Sequence, residues 1–90
     1  MSTHELKIWP EFFNAVITGK KLAEVRKDDR GFQVGDTLIL NEYDNLRSEY
    51  TGRSTVREVT YITRGIAGIA PGYCVLSIDG PRTEPWETSL

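Results

Sequence analysis

Ninety residues with 39% hydrophobic and 27% charged side chains make one globular domain, near the smallest size at which a single apolar core suffices without staples. A lone cysteine, Cys74, excludes an internal disulfide, a lone histidine all but excludes a structural zinc site, and a net charge of −2 argues against a broad phosphate-tracking surface. No apolar run approaches the roughly 20 residues of a membrane span and no signal-peptide core opens the chain, so a cytoplasmic protein is expected.

His4 to Trp9 alternates polar and apolar residues and predicts a first strand. Pro10 suits the first turn of a helix, where its missing N–H costs nothing, and Phe12, Phe13, Ala15, Val16 and Ile17 supply an apolar face. Gly19 stands where a left-handed helix end is expected, with Lys20 just past the negative end of the helix dipole, so the helix is expected over Pro10–Thr18. Leu22 to Arg26 predicts a short strand with Leu22, Glu24 and Arg26 on one face and Ala23 and Val25 on the other. Charges crowd here: residues 20–30 carry five basic and three acidic side chains.

Gly31, Gly35 and Asp36 punctuate a loop around Phe32 and Val34, and Thr37 to Tyr43 is a clear strand, with Leu38 and Leu40 on one side and Ile39 and Tyr43 on the other. Asp44 to Gly52 is polar and turn-like. Ser54 to Thr63 is a β-rich run whose apolar phase slips between Val56 and Val59, which predicts a bulge or barrel corner there. Gly65, Gly68, Pro71 and Gly72 mark an irregular link, and Tyr73 to Ile78 predicts an interior strand. The domain is expected over residues 1–79, followed by a loose tail over 80–90 that Trp86 could dock. Five strands and one early helix point to a mostly β, α+β fold, a small pseudo-barrel with the helix beside it.

The order His4-Glu-Leu-Lys7-Ile-x-Pro10, Phe13, Gly19-Lys-Lys21, Glu24-x-Arg26, Asp29-Arg30, Phe32, Gly35-Asp36, Leu38 and Glu42-Tyr43 resembles the DUF3850 group of the ASCH-type, PUA-like superfamily. The likeness continues through Tyr50-Thr-Gly52-Arg53, Arg57 to Ile62 and Gly72 to Leu76, and covers about residues 4–79. It implies a pseudo-barrel of five strands with a pocket near the helix and the Gly-x-Lys strand. Relatives of that fold bind RNA or single nucleotides, some remove the acyl group of N4-acetylcytidine, and others are described as ribonucleases. Fold likeness does not choose among these.

In the acetylcytidine hydrolases a lysine in a Gly-x-Lys context acts with a threonine and a later glutamate. Gly19-x-Lys21 keeps that spacing, but Glu24 stands where the threonine falls, and the later segment is shortened to Gly65–Gly72. Lys21 and Glu24 are therefore the acid–base pair only of an enzyme reading. Read from the residues themselves, Glu24 and Arg26 lie two apart on one strand face. Facing a pocket, the carboxylate would accept from an exocyclic amine and the guanidinium would grip a carbonyl or phosphate. Arg30 is a candidate phosphate contact, Asp29 suits either an Asx-type turn or a ligand contact, and Lys7 projects toward the same pocket or along the barrel wall. Trp9 and Tyr43 are the aromatics placed to flank a base, while Tyr61 and Tyr73 read as wall or core and His4 as a hydrogen-bonded structural residue.

The leading expectation is a domain that holds a base, nucleotide or single-stranded RNA in a small polar pocket, without metal or cofactor. An amidohydrolase acting on an acylated nucleoside is the alternative. A third reading is a protein-interaction module of phage or mobile-element origin that meets its partner through the Trp86 tail.

Overall fold

A computed structural model describes residues 1–80, and the tail beyond, with Trp86, lies outside the described residues. The elements run β1 (Thr3–Ile8), α1 (Pro10–Ile17), β2 (Ala23–Lys27), β3 (Thr37–Asp44), β4 (Glu49–Thr63) and β5 (Tyr73–Asp79). They form one sheet in the order β1-β3-β4-β5-β2, with β1 and β3 parallel and every other pair antiparallel. The sheet curls into a half-barrel around Leu6, Ile8, Phe32, Leu38, Leu40, Val59, Cys74, Leu76 and Ile78. Helix α1 caps this core with Phe13 and Val16, both buried, while Ile17 packs at its margin. Burial of the Cys74 thiol pushes its pKa up, which makes it a packing residue rather than a nucleophile.

Local chemistry explains where the helix starts and stops. Trp9 is extended at the N-cap and its carbonyl accepts from Phe13 N at 2.8 Å, with Pro10 opening the first turn. At the other end Gly19 takes φ +77°, and the amides of Lys20 and Lys21 both reach the Ala15 carbonyl at 2.9 Å. That turn folds Lys21 back beside the helix. The expected apolar face is narrower than the composition implied, because Phe12 turns away from the core and stays 41% exposed.

Two departures from the expected strands have one cause each. Glu49 to Gly52 belongs to β4 rather than to a turn, and the connection from β3 is tightened by Asp44, whose Oδ1 accepts from the amides of Leu46 and Arg47 at 2.9 and 3.1 Å. The apolar slip between Val56 and Val59 is no bulge: Thr55, Arg57 and Val59 all point inward, and the guanidinium of the buried Arg57 donates to Thr55 Oγ1 and the Val56 carbonyl. The register breaks instead just beyond Val59, where Thr60 is the extra residue against β5, and again where Thr51 to Arg53 oppose Glu42 alone. Tyr61 and Tyr73 were expected in wall or core but are 64% and 44% exposed, Tyr61 lying immediately past the first of these breaks.

The second bulge serves a buried charge. Glu42 is 3% exposed, and the extra residues bring both Thr51 and Arg53 onto it: Thr51 Oγ1 donates at 2.6 Å, Arg53 Nε at 2.9 Å and an Arg53 terminal nitrogen at 3.0 Å. Arg53 also donates to Asn14 Oδ1 of α1 at 3.2 Å and lies over the Phe13 ring, so one guanidinium ties the helix to the sheet. The Arg53 contact, followed by the Thr51 hydroxyl, holds the Glu42 carboxyl below its ordinary range against the opposing effect of burial. Replacing Arg53 with Met leaves that carboxylate with one hydroxyl donor. A loss of about 1–3 kcal/mol in urea unfolding is expected, and an unchanged midpoint would show that solvent substitutes for the guanidinium.

Asp36 anchors the opposite end. Its buried carboxylate accepts from the amides of Ser2 and Gln33, both at 2.9 Å, and His4 Nε2 lies 2.9 Å from Oδ2. These donors, led by Ser2 N and then His4, lower its pKa from 3.8 to about 2, so the carboxyl is ionised at neutral pH and His4 Nε2 carries the donated proton. The folded-state value is the depressed one. The stabilisation is therefore complete above the unfolded value of 3.8 and is lost as pH falls toward about 2. Asp36→Asn is expected to lower the thermal midpoint at neutral pH and to flatten its decline on acidification below about pH 4. An acid profile identical to that of the parent protein would refute this assignment.

Candidate functional site

The two outer strands of the sheet, β1 and β2, come together without forming a ladder. Their meeting is made by side chains: Arg26 of β2 donates to the Lys7 carbonyl of β1, and Arg30, in the loop after β2, donates to the Glu5 carbonyl at 3.0 Å. Side-chain bridges are longer than backbone bonds, so the seam stays open. A cleft of about 510 Å³ lies along it, a volume within the roughly 300–1,000 Å³ common for small-molecule sites.

β1 contributes Lys7 and Ile8 to the cleft, and the start of α1 contributes Trp9 and Phe12. Opposite them stand Lys21, Glu24, Val25 and Arg26 from β2 and the turn before it. Trp9 and Phe12 are three residues apart across the N-cap, and their rings lie nearly parallel, 17° between planes and 6.3 Å between centroids. Both are substantially exposed, at 49% and 41%, and so present an open apolar wall. Strand periodicity turns Glu24 and Arg26 to the same side, and β5 behind them supplies Leu76 and Cys74 as their register partners.

Glu24 is the pivot of the polar side. It is 4% exposed, and both its oxygens are taken. Lys21 Nζ donates to Oε1 at 2.6 Å and also to the Ala23 carbonyl, while Arg26 Nε donates to Oε2 at 3.0 Å. A buried carboxylate with two cationic donors is neutralised and held in one rotamer. The lining side chains then carry three positive charges, on Lys7, Lys21 and Arg26, against one negative charge on Glu24. Their surplus favours an anion beside an aromatic wall.

Of the residues expected at the site, Lys7, Trp9, Lys21, Glu24 and Arg26 meet in this cleft. Tyr43 is joined to it through Lys7, whose ammonium lies 4.2 Å from the Tyr43 ring centroid. Arg30 is spent on the seam, and Asp29 is exposed away from the cleft lining. Its neighbour Asp28 pairs instead with Arg64, at 2.7 and 3.3 Å, and ties the loop after β2 to the end of β4. Sequence reasoning missed Phe12, the buried Ile8 and the exposed Val25. The signal for Phe12 was its adjacency to Phe13, since neighbouring residues on a helix point about 100° apart and cannot both enter one core. Among the described residues no three His, Cys, Asp or Glu side chains gather as a metal site, and no helix is long and apolar enough to cross a membrane.

The family model described as a domain of unknown function, DUF3850, matches residues 3–78. The chain belongs to this family. The matched range takes in the sheet up to Ile78, the helix and every residue of the cleft. An "Uncharacterized 12.9 kDa protein in GpA 3'region" of Escherichia phage P2 is 43% identical over 60 residues, covering 67% of this chain and 53% of the phage protein. The DUF3850 chain therefore spans about half the length of the curated relative it matches.

If Glu24 organises the cleft, Glu24→Gln removes the charge that Lys21 and Arg26 share and leaves two cations facing each other. A loss of about 1–3 kcal/mol in unfolding free energy is expected, together with faster amide exchange in β1 as Arg26 leaves the seam. Unaltered exchange in β1 would show that Arg26 holds the seam without the carboxylate.

Proposed function

We propose that this DUF3850 domain binds a nucleotide, with the base against Trp9 and Phe12 and the phosphate toward Lys21 and Arg26. The single observation that carries this reading is the facing of an exposed, nearly parallel Trp9–Phe12 pair by a cationic cluster across one cleft. An aromatic wall offers stacking to any base, and the excess positive charge offers a partner for phosphate. Glu24 accepts Lys21 and Arg26 now, and a base amine reaching it would compete with the former for Oε1. The resemblance to ASCH-type, PUA-like proteins supports the same ligand class. So does the modest net charge, since deep capture of one nucleotide needs no long basic stripe.

The 2.6 Å contact between Lys21 and Glu24 is the geometry that the deacylase alternative requires. Yet among the described residues no hydroxyl side chain lines the cleft, and Thr18, at the end of α1, donates its hydroxyl to the Asn14 carbonyl at 2.7 Å. Arg26 on the other carboxylate oxygen also holds the charged form of Glu24, which disfavours its taking up a proton. Binding is therefore the better reading. The likeness to a phage P2 protein supports an origin among phages or mobile elements.

Titration with the four 5′-mononucleotides and their nucleosides, followed by amide and indole chemical shifts, tests the proposal. Shifts should concentrate on Lys7, the Trp9 indole and Lys21 to Arg26, with nucleotides binding more tightly than nucleosides. Trp9→Ala should weaken binding by about 1–3 kcal/mol, and Lys21→Ala should narrow the gap between nucleotide and nucleoside. Absence of any shift at millimolar ligand would sink the proposal. Turnover of N4-acetylcytidine that disappears in Lys21→Ala would replace it with the hydrolase reading.

A further inference from the structure

A second aromatic pair lies beyond Lys7. That side chain lines the cleft, and its ammonium also lies 4.2 Å from the centroid of Tyr43 and 5.8 Å from that of Tyr50. The two tyrosines are register partners on β3 and β4 and meet edge to face, 5.0 Å apart at 76°. Tyr50 is 55% exposed, so part of its ring is free for a further contact. Beside it a second hollow of about 320 Å³ is bordered by Asn41 and Glu5, whose side chains are joined at 3.1 Å. Asn41 is in turn the register partner of Lys7. Lys7 thus stands between two aromatic platforms, each with a hollow and a polar edge beside it. Among the described residues no carboxylate pairs with its ammonium, which meets only ring faces.

From this juxtaposition we infer that the site holds two successive nucleotides of a single strand, the first on Trp9 and Phe12 and the second on Tyr50, with Lys7 at the phosphate that joins them. The inference rests on the nucleotide reading above and extends it from one unit to two. An ammonium over ring faces is stabilised by their quadrupoles and keeps its N–H donors available for an anion. A phosphodiester between two stacked bases is an anion of the right kind at that place. The Asn41 amide and the Glu5 carboxylate supply donor and acceptor groups to the edge of the second base, and Arg53, which also borders this hollow, is already bonded to Glu42. Two units span the two aromatic platforms, and so short a strand is in keeping with the acidic balance of the chain.

The test measures affinities of the four 5′-mononucleotides and the four 5′-phosphorylated homodinucleotides, in ribose and deoxyribose forms, for the parent protein, Tyr50→Ala and Lys7→Gln. At least one dinucleotide should bind about fivefold or more tightly than its mononucleotide. Tyr50→Ala should abolish that gain and leave mononucleotide affinity unchanged. Lys7→Gln should reduce the salt dependence of dinucleotide binding. A preference for the ribose or deoxyribose form identifies the strand as RNA or DNA. Dinucleotides that bind no more tightly than mononucleotides overturn the inference and leave the single-nucleotide site standing. A gain that survives Tyr50→Ala overturns it too, since charge alone then explains the difference. Failure of both ligand sizes to bind removes the nucleotide reading and this inference together.

Discussion

The contact on which the molecule turns is the one between the Glu24 carboxylate and Arg26, because Arg26 goes on to the Lys7 carbonyl and so joins the two ends of the sheet. A carboxylate buried to this degree is costly unless its charge is met and its oxygens are bonded, and Lys21 and Arg26 do both. The same guanidinium that neutralises the carboxylate has further N–H groups to spend, and the exposed carbonyl of an outer strand is a natural acceptor. A backbone ladder would have drawn β1 and β2 to the usual spacing of about 4.8 Å and left no room between them. Arginine bridges hold them apart. Closure of the fold and openness of the cleft are consequences of one choice of side chain.

Seen this way, the buried carboxylates divide by what surrounds them. Glu42 and Asp36 are enclosed by donors from their own neighbourhoods, Arg53 and Thr51 for one and Ser2, Gln33 and His4 for the other, and both are held ionised. Each fastens elements together: the helix to β3 and β4, and the chain start to the loop before β3. Glu24 differs in facing a cavity with an excess of cations around it and an exposed aromatic pair opposite. Of the three buried carboxylates it alone lines the cleft between β1 and β2.

Much of the fold was legible because periodicity survives local detail. The alternation of the first strand, the Pro10 start, the left-handed Gly19 and the β runs through Leu38 and Leu76 all follow from backbone rules that act within a few residues. Misreadings occurred where a polar group replaced an apolar one for a tertiary reason. Arg57 faces inward, so the apolar phase looked broken at Val56 although the strand is regular there. Glu49 to Gly52 read as part of a turn because the polar Thr51 and Gly52 belong to a bulge that satisfies Glu42, a residue nine positions earlier than Thr51.

What the chain determined by itself is the set of elements and the chemistry of the charged run from Lys21 to Arg30, since spacing on a strand decides which side chains share a face. Which of those charges line the cleft was decided only by the curl of the sheet. It set Arg30 on the Glu5 carbonyl, left Asp29 outside, and carried Phe12, Trp9 and Lys7 across the seam to face Glu24 and Arg26. It likewise put Tyr43 and Tyr50 beside Lys7, from strands that are 30 or more residues further along the chain. Local sequence has no access to such distances, because parallel pairing of β1 with β3 and the antiparallel return of β4 are decided by long-range packing of Leu6, Leu40 and Val59 in a common core.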